Sequence, residues 1–224
     1  MRGLVLVLKA EMALGYQLVS RHRAPRFAAV LSAAFLAAIA AAGPLGAAGY
    51  RGLLAPVAAT VAAVAGSRVL AQGAALGAAR HAPCAPWLVV AGRFAGVMVI
   101  VVPAIMVLGA VLLVGLPSPD VVSRIGLAVL TASAAAGVAM AVTPNLGASV
   151  GSAVGLMAAW ASQLPSLAGA AGSSGAGVVM LLAMAFPDMT DRSALGAVAH
   201  GAGWMVGTLA FATWSISRRR APGA

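Results

Sequence analysis

Read for apolar and polar positions, the chain is a succession of long apolar runs divided by short polar breaks. A bilayer core about 30 Å thick takes about 20 apolar residues per helix. That ruler predicts membrane spans at 27–48, 53–71, 88–115, 121–142, 147–164 and 197–216. The first 26 residues follow a different pattern. The run Leu4 to Leu8 is short for a signal-peptide core, Lys9 and Glu11 interrupt it, and the basic cluster Arg21, His22, Arg23 and Arg26 comes next. Such a segment is expected to lie as an amphipathic helix on the membrane surface. Between the fifth and sixth spans the chain begins Gly/Ser-rich, turns apolar from Gly177 to Phe186 and ends in Pro187, Asp188, Met189, Thr190 and Asp191. That apolar stretch is too short for a full crossing and predicts a broken or re-entrant helix.

The expected fold is therefore all-α: a polytopic integral membrane protein of six transmembrane helices. As one membrane domain over 1–224 it divides into a surface helix (1–26), spans 1 and 2 (27–71), a cytoplasmic loop (72–87), spans 3 to 5 (88–164), an outer re-entrant region (165–196), the last span (197–217) and a basic tail (218–224). Composition sharpens this. With 62% hydrophobic residues, 8% charged and a mean hydropathy of +1.02, the chain has too few polar residues to cover a water-soluble globule. The net charge of +10 invites a nucleic-acid reading, but the basic residues stand at the ends of apolar runs rather than along one face. No nucleic-acid partner is expected, and membrane lipid is.

Those charges also orient the chain. With the N-terminus in the cytoplasm, eleven basic residues fall inside: Arg2, Lys9, Arg21, Arg23, Arg26, Arg68, Arg80, Arg93, Arg218, Arg219 and Arg220. Three, Arg51, Arg124 and Arg192, fall outside. This follows the positive-inside rule and predicts a multi-pass protein of the cytoplasmic membrane with both termini in the cytoplasm.

Candidate chemistry is sparse. Cys84 is the only cysteine, and the three histidines and four carboxylates show no ligand spacing, so neither a metal nor another cofactor is expected in this chain. No carboxylate falls inside a span, which weighs against a proton or sodium antiporter. No polar stretch is long enough for a soluble ATPase domain. Small residues dominate the spans: Gly147, Gly151 and Gly155 on the fifth, and Gly203 and Gly207 on the sixth, recur at four-residue spacing and predict close helix packing, within the chain or across a dimer.

The loop between the second and third spans carries the most information. Gln72 to Ala82 reads as a short helix stopped by Pro83 and Pro86, and Gly92 and Arg93 follow as the third span begins. With its surface helix and six spans, the chain resembles the permease subunits of type-2 class ABC exporters. In that class the first cytoplasmic loop carries an acid, Gly-Thr, a leucine-rich turn and a proline, then a Gly-basic pair. The corresponding residues here are Gln72, Gly73, Ala74, Leu76, Pro83, Gly92 and Arg93, with Arg80 on the same short helix. The resemblance implies a loop that docks on a separate cytoplasmic ATP-binding subunit, ATP and Mg²⁺ held by that partner, and a second permease subunit, the same chain or a homologous one. It implies export, with no catalysis in this chain, and the few aromatic residues and absence of expected buried charges suit an apolar or amphipathic substrate.

A second resemblance competes. Gly147, Ala148, Ser149, Val150 and Gly151 look like the serine motif of rhomboid intramembrane proteases, and Ala199, His200, Gly201, Ala202 and Gly203 like their last-span histidine motif. It implies Ser149 as nucleophile and His200 as its base. The six-span topology instead sets Ser149 at the cytoplasmic face and His200 within a turn of the outer face, about 20 to 30 Å apart.

Overall fold

The computed structural model describes residues 2–41, 43–71, 74–82, 84–115, 121–160 and 194–219. Among them there is no strand, and the elements run α1 (Arg2–Arg21), α2 (Arg23–Ala40), α3 (Gly43–Val69), α4 (Ala74–His81), α5 (Pro86–Gly115), α6 (Val121–Leu146), α7 (Ala148–Trp160) and α8 (Ala194–Arg219). Among the described residues six helices are long and apolar enough to cross a membrane: α1, α2, the Gly52–Val69 part of α3, Pro86–Ala110 of α5, α6 and Leu195–Arg219 of α8. The protein is a polytopic all-α membrane protein.

Several boundaries differ from the sequence expectation, each for a local reason. The first turn comes at Ala41, ahead of Gly43 and Pro44, and not near residue 50. Proline is tolerated in the first turn of a helix because its missing N–H has no intrahelical partner there. The break between α1 and α2 falls at His22, whose extended backbone (φ −78°, ψ 137°) ends one helix and begins the next. α1, expected on the surface, meets the length and hydropathy of a span, whereas the expected fifth span appears as α7, 13 residues long in its described part. The expected re-entrant region lies, up to residue 193, outside the described residues.

Contacts fix the helix directions. α3 and α5 run antiparallel, as do α5 and α6, where Ser133 meets Met98 and Ile125 meets Gly109. α6 and α7 form an antiparallel hairpin around Gly147, which adopts φ +89° and donates its N–H to Thr143 O at 2.9 Å. This is the left-handed C-terminal glycine that ends many helices. α8 runs parallel to α6, with Thr208 beside Gly137 and Ser215 beside Asn145. One end of the bundle therefore gathers the end of α3, α4, the start of α5, the α6–α7 turn and the end of α8. That end carries Arg68, Arg93, Arg218 and Arg219, and we call it the basic end.

The centre is a seam of small side chains. Ala59 and Ala63 of α3, Ala135 and Ala139 of α6 and Ala159 of α7 are all fully buried against one another. A Cβ added to Gly155 would stand 2.7 Å from Ala63 Cβ and 3.0 Å from Ala139 Cβ, so this glycine sets the helix spacing. In lipid, where apolar burial gains little, such close backbone approach supplies the dispersion contacts that hold helices together. Hydroxyls in the seam are satisfied locally: Thr60 donates to Pro56 O and Thr143 to Ala139 O, and Ser67 and Ser152 bond each other at 2.7 Å.

Candidate functional site

α1 lies along the first half of α5 and points the same way. Its register follows from three glycines: Gly15 faces the backbone of Arg93, Gly92 faces Leu8 and Glu11, and Gly96 faces Met12 and Tyr16. At Gly15 an added Cβ would stand 2.7 Å from Arg93 O, so the two backbones are in direct contact. Within this crossing Arg93 is fully buried. Its Nε donates to Glu11 Oε2 at 2.9 Å and its Nη1 to Val69 O at 2.9 Å. One guanidinium thereby joins α1, α3 and α5. Val69 is in the last turn of α3, whose carbonyls have no intrahelical partner, so the arginine also caps that helix.

Gly92 and Arg93, expected as coupling residues at the head of the third span, are thus under α1 and present nothing to an outside partner. Leu76 also faces inward, at 3% exposure, with Ala79 buried beside it. These two side chains seat α4 across the basic end, against α3, α5 and α8. The opposite side of α4 exposes Ala78 and His81. Of the remaining expected coupling residues, Gln72, Gly73, Pro83 and the side chain of Arg80 lie outside the described residues.

Beside α4, the end of α8 is tied to the end of α6. Asn145 Nδ2 donates to Ser215 Oγ at 3.0 Å and its Oδ1 accepts from Arg219 Nη2 at 2.8 Å. Arg218 stands 4.2 Å from the Trp214 ring centroid, a cation–π contact. Asn145 spends both ends of its amide on this junction.

Ser149 and His200 are not brought together. Ser149 is exposed four residues beyond Asn145, across the Gly147 turn, at the level of Ser215. His200 is fifteen residues earlier on α8, about 22 Å along the helix axis at 1.5 Å per residue. It stands edge-on to Trp204, with centroids 6.5 Å apart. Both line an apolar cavity of about 660 Å³ between α6 and α8, along with Val138, Val142 and Phe211.

The glycines divide by role. Gly151 packs against α6: an added Cβ would overlap Thr143 Oγ1 and stand 2.9 Å from Ala139 O. Gly155 belongs to the central seam. Gly147 has no described residue within 4 Å of an added Cβ and serves the turn. Among the described residues nothing lies within 4 Å of a Cβ added at Gly203 or Gly207, and both line the α6–α8 cavity, so they make no packing groove with the described helices. Among the described residues no three His, Cys, Asp or Glu side chains cluster closely enough to hold a metal ion.

The residues sequence reasoning missed are Glu11, Gly15, Gly96, Asn145 and Ser215. Two signals pointed to Glu11 and Gly96: Glu11 is the only acid before Asp120, and Gly92 and Gly96 have the same four-residue spacing as the glycines singled out elsewhere. No protein-family model, curated protein or solved structure matches this chain.

Proposed function

We propose that this chain is the membrane-spanning permease subunit of an ATP-driven exporter in the cytoplasmic membrane, its basic end facing the cytoplasm. The observation that carries the reading is α4: a short helix between two membrane helices, anchored inward by Leu76 and Ala79 and presenting Ala78 and His81 outward at the basic end. A helix so placed is what a cytoplasmic ATP-binding subunit needs to grip, since a push on it passes into both α3 and α5. The Arg93 pair supports this by making α1 part of the same unit. A rocking motion between inward and outward access then needs two such permeases, of this chain or a homologous one. ATP and Mg²⁺ belong to the partner subunit. The apolar cavity between α6 and α8 suits an apolar or amphipathic cargo.

The test is purification of the tagged chain from its native membranes in mild detergent. The reading expects an ATP-hydrolysing subunit to co-purify in stoichiometric amount, and to be lost from the variant Ala78→Asp, His81→Asp while the permease remains folded. A homogeneous permease with no ATP-binding chain, before and after crosslinking in the membrane, overturns it.

A further inference from the structure

At the α1–α2 junction four basic residues, Arg21, His22, Arg23 and Arg26, are exposed within six consecutive positions. No acid neutralises them from nearby in the sequence. Glu11 is the only carboxylate before Asp120, and it is held by Arg93. The helix segments that α2 faces, Val57 to Ala65 of α3 and Ile100 to Leu108 of α5, carry no charged residue.

One member of the cluster, Arg26, borders a cavity. Arg26, Tyr16 and Ser20 line the exposed part of a space of about 240 Å³ whose inner walls are Val61, Ala65, Ile100 and Val101. A second space, about 430 Å³, shares Ala29, Val61, Val101 and Ala104 with the first and continues along α2 to Ala33, Val57, Pro103 and Leu108. The two form one trough, cationic at one end and apolar along its length. From Ile100 to Leu108 it extends about 12 Å along α5. Its rim is open to lipid, as the exposed side chains of Val30 and Val107 show.

From this geometry we infer that the trough between α2, α3 and α5 binds one anionic phospholipid, its headgroup phosphate on Arg21, Arg23 and Arg26 and an acyl chain along Ala29 to Ala33. Guanidinium groups pair with phosphate oxygens through parallel N–H donors, which favours phosphate over other headgroup chemistry. A zwitterionic lipid brings an ammonium group that the cluster repels. A basic cluster alone would attract an anionic surface diffusely. The adjoining trough turns that attraction into a site of defined stoichiometry. The inference does not depend on whether the chain works with an ATPase.

The experiment uses the full chain, delipidated in detergent and titrated separately with dioleoyl phosphatidylglycerol, dioleoyl phosphatidylcholine and inorganic phosphate, with binding read by native mass spectrometry and by the shift in thermal unfolding. The expected result is one tightly held phosphatidylglycerol, at least about tenfold preferred over phosphatidylcholine, and no competition by phosphate. Each arginine removed should lower the preference roughly fivefold. The triple variant Arg21→Gln, Arg23→Gln, Arg26→Gln should therefore bind the two lipids alike. Ala29→Phe, at the position shared by both spaces, should weaken both lipids with helix content unchanged. The comparison of lipids on the unmodified chain needs no variant, and equal binding there overturns the site. So does a triple variant that keeps its preference, full binding by a correctly folded Ala29→Phe, or displacement of the lipid by phosphate alone.

Discussion

Glu11 and Arg93 are 82 residues apart in sequence and joined by a 2.9 Å ion pair in the fold, with the guanidinium wholly buried and the carboxylate nearly so. Because the same guanidinium holds the last turn of α3 through Val69 O, the pair decides where α1 sits. Removing one partner of a buried pair leaves a charge without its counter-ion, which costs about 3 to 5 kcal/mol, whereas replacing both by apolar groups of similar size is close to neutral. Glu11→Ala should accordingly destabilise the protein by about 3 kcal/mol, read by unfolding in mixed micelles. The double variant Glu11→Leu, Arg93→Met should recover most of that loss. A single variant as stable as the parent would mean that the pair does not hold α1.

The two glycine pairs that look alike in sequence should respond oppositely to leucine. Gly151→Leu drives a side chain into Thr143 and Ala139 O, an overpacking that costs about 1 to 3 kcal/mol. Gly203→Leu meets no described residue within 4 Å of its Cβ and should leave the melting temperature in detergent almost unchanged.

On α4 the buried and exposed residues separate folding from function. Leu76→Asp puts a carboxylate into the core and should lower expression and thermal stability. Ala78→Asp, on the exposed side, should leave both intact, and under the proposed function it should abolish stimulated ATP hydrolysis by a docked ATP-binding subunit. If Ala78→Asp and His81→Asp transport normally, α4 is not the contact.

Orientation is tested by cysteine labelling in a Cys84→Ala background, with single cysteines at the exposed positions Ser149, at the basic end, and Val122, at the other. A membrane-impermeant thiol reagent should label residue 122 in intact cells and reach residue 149 only after the membrane is opened. The reverse pattern would place the basic end outside.

The helices that run through the core were legible because apolar length alone defines a span, and α5 and α6 start within two residues of their expected places. What could not be read was which neighbour each helix meets. Gly151 and Gly203 sit in similar four-residue patterns, yet one faces Thr143 and the other a cavity. Spacing records which residues share a helix face and says nothing of what stands opposite. Arg93 misled for a related reason: next to a loop, a cation reads as a surface residue until the acid that buries it is located, and that acid is on a helix expected to lie apart from the bundle. The separation of Ser149 from His200 was legible, because counting residues along crossing helices gives height in the membrane directly.

The alanine and glycine seam of α3, α6 and α7 bears on how the molecule can move. Side chains with no rotamers lose nothing when they dock, and they have none to switch into afterwards. Three helices joined in this way lack the alternative packings that a sliding contact requires, so they behave as a keel. α8, with 17% of its apolar window buried against 67% for α3, has far less holding it in place. Relative movement between helices is therefore easiest at the perimeter, where the Asn145 junction ties the end of α8 to the end of α6.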